Sequence, residues 1–253
     1  MRRRSRRGLT LVEVLIAVTL VSLLSTGILY AMSLGFKAME TTNRRFTDNR
    51  RSLGSLRLLE NQFAAMIPAQ VPCAGVRTSA STAPLYFQGA PNSIQFVTAY
   101  TLEEAARGYP RIVDYLVLPG DARAGGVRLV MQETPYLGGG SLSPLCAGPG
   151  TDPMHRAPMA ILHPPRLGPR AFVLADQLAY CRIFYQRVHP VNRQTSWEPT
   201  YNGAVFPAGI RMEMAPLRPD PARVQVTTAT IPVRVSRNTF EVYADIDDPE
   251  QQR

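Results

Sequence analysis

Arg2-Arg3-Arg4-Ser5-Arg6-Arg7-Gly8-Leu9-Thr10-Leu11-Val12-Glu13, continued by an almost unbroken apolar run from Val14 to Phe36, is the stretch on which the reading of this chain turns. A bilayer crossing takes about 20 apolar residues at about 1.5 Å of rise each, and this run is long enough. The clustered arginines hold their end of such a span on the cytoplasmic side. Glu13 is the one charge inside the run. A carboxylate within a span costs roughly 2.5 kcal/mol or more and marks a function.

Two plain readings compete. A secretory signal peptide has a similar basic head and apolar body, and Ser25-Thr26-Gly27 offers it a small-residue cleavage site. Against it stand Glu13 inside the apolar body and a run that continues past Gly27. A simple single-pass anchor, with Glu13 reaching back to the interface, is the other. The order of basic leader, glycine, apolar residue and a glutamate five positions after the glycine resembles the cleavage and methylation signature of type IV pilins and type II secretion pseudopilins.

That resemblance implies a prepilin peptidase cutting between Gly8 and Leu9, followed by N-methylation of Leu9. Phe is the commoner residue after the cut, so Leu9 departs mildly from the pattern. It further implies that Glu13 sets filament register: the freed ammonium of one subunit and the Glu13 carboxylate of another neutralise each other among apolar helices, whereas each alone bears its desolvation cost.

The 253 residues have room for one anchor and one domain of roughly 180 residues, enough for a full core. The net charge of +9 invites a nucleic-acid reading. Five of the 28 basic residues lie in the leader, however, and without them 23 face 19 acids, a balance of +4. The remaining basics are scattered, as on a solvated surface. Three cysteines are present, and beyond the membrane disulfides persist. Three single-bridge pairings are open and spacing does not choose among them. The preferred pairing joins Cys73 to Cys146, both in Pro/Gly-rich surroundings, and leaves Cys181, in a strand-like stretch, buried and reduced.

Helical periodicity continues past the span through Phe36, Met39, Phe46, Leu53, Leu56, Leu59, Phe63 and Met66 until Pro68 ends it. Residues 9–67 read as one helix of about 60 residues, roughly 88 Å long, with Gly27, Gly35 and Gly54 as points where it could bend. After Pro68 come strand-like runs at 85–88, 93–99, 111–118, 127–132, 171–174, 178–186, 210–215, 224–234 and 240–243. Residues 134–170 hold eight prolines and the Gly138-Gly139-Gly140 run and read as a long surface loop. The expectation is an α+β chain: leader 1–8, filament-core or membrane half-helix 9–36, amphipathic half-helix 37–67, a mostly antiparallel β-rich pilin-like domain 68–243, and an acidic tail 244–253.

No catalytic or metal-binding spacing stands out. His155, His163 and His189 form no zinc pattern, and no nucleophile elbow or phosphate loop occurs. Asp245, Asp247, Asp248 and Glu250 carry oxygen ligands that suit calcium, yet lack the spacing of a calcium loop and read as a solvated tail. Tyr180, Phe184 and Tyr185 near Arg182 and Arg187 read as core aromatics before nucleic-acid stackers. No cofactor and no specific nucleic-acid partner are expected.

A second resemblance lies further on. Leu178-Ala179-Tyr180-Cys181-Arg182-Ile183-Phe184-Tyr185, then Trp197, then Phe206-Pro207-Ala208-Gly209-Ile210-Arg211-Met212-Glu213-Met214 is similar to the J-type minor pseudopilins of type II secretion, through Arg182, Tyr185, Trp197, Pro207 and Ile210. It implies a non-enzymatic subunit of a short filament, anchored in the inner membrane with its C-terminal domain in the periplasm. Its implied partners are the prepilin peptidase, major pseudopilins, I- and K-type minor pseudopilins near the filament tip, and secreted cargo. A minor pilin of a type IV pilus, or an anchored or secreted enzyme with a prepilin-like leader, are the alternatives.

Overall fold

The computed structural model describes residues 10–73, 84–102, 106–121, 125–218 and 228–235. The chain divides into two units, Met1–Arg50 and Arg51–Arg253. Helix α1 runs Leu11–Ala64 without a break, so Gly27, Gly35 and Gly54 do not interrupt it. Pro68, which cannot continue the helical hydrogen-bond ladder, stands just beyond its end.

The second unit is built on an antiparallel sheet of eight strands. These are β1 (Gln88–Ala90), β2 (Ser93–Thr101), β3 (Ala106–Pro119), β4 (Val127–Pro135), β7 (Phe172–Val188), β8 (Thr195–Glu198), β9 (Gly209–Pro216) and β10 (Thr228–Pro232). Their order is β1-β2-β3-β4-β7-β9-β10, with β8 pairing the far end of β7. Strand β7 unites the two runs expected at 171–174 and 178–186. Its first part pairs β4 and its second part pairs β9, with register shifts around Leu178. Gln177, at φ 53°, is the irregular residue that breaks the alternation there, and Asp176 Oδ1 accepts its N–H at 2.7 Å.

Alternation gives the sheet two buried faces. One carries Ile94, Phe96, Val113, Tyr115, Met131, Ile183 and Ile210 and receives Leu58, Leu59 and Phe63 from the last turns of α1. Phe63 stacks on Phe96 at 4.9 Å and on Tyr115 at 5.8 Å between ring centres. The other face, around Tyr86, Val97 and Ile112, is covered by residues 136–162.

That cover corrects the expectation of a surface loop over 134–170. After a helical turn at 139–145, β5 (Cys146–Thr151) and β6 (Pro158–Leu162) form an antiparallel hairpin. Leu142, Ala160 and Leu162 are buried in the second core with Val71 and Cys73. The Cys-Ala-Gly-Pro-Gly-Thr strand has no β-branched residue until its end, so its composition hides it. Short strand β8 was also not foreseen. The run expected at 240–243, the acidic tail and residues 224–227 of the run expected at 224–234 lie outside the described residues.

Candidate assembly segment

Thr10, the residue before α1, has its backbone carbonyl and its hydroxyl oriented toward the N–H of Glu13, at 3.1 and 3.4 Å. Thr10-x-x-Glu13 has the S/T-x-x-E form in which a side-chain oxygen satisfies an orphan amide of the first turn. Sequence reading assigned Glu13 its position and overlooked Thr10, although the spacing was there to be read. Glu13 is exposed and lies in the first turn, where a carboxylate suits the positive end of the helix dipole. Gly8 and Leu9 lie outside the described residues.

From Leu11 to Arg44 the helix is long and apolar enough to cross a membrane, and none of it is buried within the chain. Leu23 and Leu29 are 70% and 68% exposed, and the neighbouring Val, Ile and Leu residues are similarly bare. Four hydroxyls of its apolar part are satisfied inside the helix: Thr19 donates to Ile16 O, Ser22 to Val18 O, Thr26 to Ser22 O and Ser33 to Tyr30 O, all at 2.8–2.9 Å. A hydrocarbon environment demands this internal satisfaction. Up to Phe36 the segment therefore presents lipid-compatible surface all round and one carboxylate, Glu13, at its start.

Residues 3–29 match the family described as the prokaryotic N-terminal methylation motif. The chain carries a prepilin-type N-terminus. The match supports the type IV pilin and pseudopilin superfamily, implies processing by a prepilin peptidase and pilin-type assembly partners, and fits a single-pass anchor in the apolar helix. The architecture, a long N-terminal apolar helix followed by an antiparallel β-rich domain, is α+β and pilin-like. No curated protein matches the chain.

The residues that carried the second resemblance gather where β7, β8 and β9 pair. Tyr185 is buried and donates to Ala90 O at 2.9 Å and Ser93 O at 3.0 Å. Ile210 pairs with it across the sheet, and Pro207 is buried just before β9. Gly89 lets the Tyr185 ring approach so closely that an added Cβ would lie 2.2 Å from it. On the opposite face Arg182 lies over Tyr180, and Arg211 lies between Phe184 and Trp197 at 5.2 and 4.6 Å. Tyr185 is a core aromatic, as read from the sequence. Tyr180 is not, being 42% exposed, because it falls on the outer face of the β7 alternation.

Cys73 and Cys146 are joined, with Cα atoms 5.6 Å apart, and the bridge ties the start of β5 to the segment following α1. Cys181 is free and buried, and burial pushes its thiol up to about 12, which keeps it protonated and unreactive. Asp152 was not singled out from sequence, yet it locks the β5–β6 turn. It accepts from the Met154 and His155 amides, His155 Nδ1 at 2.8 Å and the Ala204 amide at 3.0 Å. Burial alone would raise its pKa, but these donors outweigh burial and hold it below the ordinary carboxylate value.

Proposed function

We propose that this chain is a minor pseudopilin of a type II secretion pseudopilus, of the J type. On this reading it is cleaved after Gly8, methylated at Leu9 and assembled through α1, with Glu13 setting register against the N-terminus of a neighbouring subunit. Its work is mechanical and recognitive: packing helices, helping to initiate the filament near its tip with I- and K-type subunits, and contacting cargo. The N-terminus would stay cytoplasmic and the β-rich domain periplasmic, with the inner membrane as the site of assembly. The observation that carries this reading is the methylation motif running directly into an exposed apolar helix whose one charge up to Phe36 is Glu13. The outline of Arg182, Tyr185, Trp197, Pro207 and Ile210 around β7–β9 supports the J-type assignment.

Co-expression of the full chain in membranes with I- and K-type pseudopilins, and separately with minor pilins of a type IV pilus, tests the system. A detergent-stable complex with the pseudopilins alone, weakened by Glu13→Ala, is the expected result. A complex formed only with the type IV pilins would replace the secretion reading with the pilus one.

A further inference from the structure

Residues 136–162 cover one part of the sheet face that points away from α1. Farther along that face, on β7, β8 and β9, alternation turns out a ladder of arginine and aromatic side chains to which the assembly reading gives no role. Tyr180 and Arg182 are exposed, and Phe184, Trp197 and Arg211 are half-buried. Cross-strand register aligns them: Phe184 pairs with Arg211, Arg182 with Glu213, and Gln186 with Trp197. Arg234 joins the same face, exposed between Val233 and Val235, which pack on the inner core. Stacking on Tyr180, Phe184 and Trp197 holds the Arg182 and Arg211 guanidinium groups flat, so they lose little freedom when a carboxylate binds. Arg211 has an ion pair with Glu213 at 3.1 Å, but among the described residues no carboxylate pairs with Arg182 or Arg234.

The chain itself carries a complement to this face. Strand β10 pairs Pro232 with Gly209, and an added Cβ at Gly209 would lie 3.5 Å from the Trp197 ring. The Val233 N–H then donates to Ala208 O at 3.0 Å, so the chain leaves β10 beside the Trp197 end of the ladder. Residues 236–253, outside the described part of the chain, span about 60 Å when extended. Arg182 lies only four residues along β7 from Gln186, the partner of Gly209, or about 13 Å. Residues 238–252 hold the acids Glu241, Asp245, Asp247, Asp248 and Glu250 and no basic residue. Phe240, Val242, Tyr243 and Ile246 lie among them.

We propose that the arginine–aromatic ladder is a docking surface whose occupant is the chain's own C-terminal segment, residues 240–250. The segment folds back over the face, with its carboxylates at Arg182, Arg211 and Arg234 and its apolar side chains against Phe184 and Trp197. Three observations carry this: the point where the chain leaves β10, the length that follows, and acids without bases opposite arginines that outnumber Glu213. Exposed ion pairs are weak singly, so the segment opens readily and each pair removed lowers the closed-to-open ratio about twofold. Opening uncovers the ladder to acidic segments from outside the chain.

Trp197 is the one tryptophan of the chain, so its fluorescence reports on this face alone. Quenching by acrylamide, an uncharged probe, is measured in uncharged detergent on the full chain and on a chain ending at Thr239. A third sample combines Asp245→Asn, Asp247→Asn, Asp248→Asn and Glu250→Gln. The expected result is a shielded Trp197 in the wild type and stronger quenching in both variants, the four neutralisations lowering the closed-to-open ratio on the order of tenfold. Raising salt from about 50 to about 500 mM should open the wild type and leave both variants unchanged. Equal quenching in the wild type and the shortened chain, or shielding kept by the neutralised variant, would overturn the proposal in favour of a solvated tail. Shielding that grows with protein concentration would overturn it too, because the occupant would then be the tail of a second copy. Should the shortened chain not fold, the salt response decides: it must be present in the wild type and absent from the neutralised variant, and the same response in both overturns the docking.

Discussion

Gln62 shows how a single polar residue can fix a helix on a sheet. It lies on the docking face of α1 and is completely buried. The Tyr115 hydroxyl donates to its Oε1, its Nε2 donates to Glu133 Oε1 at 2.7 Å, and its carbonyl accepts from Thr98 Oγ1 at 2.8 Å. Replacing it with Ala strands a buried phenol and removes a charge-assisted bond, so Gln62→Ala should cost about 2–3 kcal/mol, read by denaturant unfolding. Thr98→Val tests the same network at its hydroxyl and should cost about 1 kcal/mol.

Asp114 makes a residue-scale prediction with a definite sign. Its folded pKa is raised to about 6 from 3.8, so between these values the folded state binds more protons than the unfolded one. Stability is then greater at acid pH and falls as pH rises from about 4 through about 6. Asp114→Asn should remove that fall and be the more stable protein at pH 7, by about 1–3 kcal/mol. A wild-type unfolding midpoint that rises over the same interval would contradict the assignment.

Among the elements, two glycines predict opposite outcomes for one substitution. Gly54 lies exposed in α1 with nothing near its missing Cβ, so Gly54→Ala should stabilise the helix by about 1 kcal/mol. Gly89 in β1 has the Tyr185 ring where a Cβ would stand, so Gly89→Ala should displace that ring and cost about 2 kcal/mol or more. Thermal melts of the two variants check the pair.

The elements also show how far the sequence could be read. Helix α1 was legible from its long apolar run and the 3.6-period stripe that follows it, and strands β2, β3, β4 and β9 from short runs rich in apolar residues between turn residues. Strands β5 and β6 were not, because Gly148, Pro149 and Gly150 carry turn chemistry while the second core and the bridge to Cys73 hold them extended. Strand β7 read as two pieces because the break at Gln177 shifts the pattern by one residue. In the assembly segment Glu13 stood out as a lone charge in an apolar run, while Thr10 looked like an ordinary member of it.

At the scale of the molecule, the Cys73–Cys146 bridge closes a loop of 73 residues between the end of α1 and the hairpin that covers the outer face. Loop-closure entropy for that length is about 4 kcal/mol. Cys73→Ser with Cys146→Ser should lower stability by about that amount and loosen residues 136–162 first. Proteolysis within the hairpin, ahead of any loss of sheet structure, is the expected sign. Periplasmic folding would form this bridge, whereas a reducing compartment would forgo it.

On the proposed reading the first residues are a leader removed to expose an assembling helix. Intact mass of the full chain extracted from membranes tests it most directly, with and without a co-expressed prepilin peptidase, for wild type and Gly8→Ala. The expected result is peptidase-dependent loss of Met1 to Gly8 and one added methyl group on Leu9, with Gly8→Ala left uncut. Cleavage near Gly27, or an intact N-terminus in every sample, would contradict it.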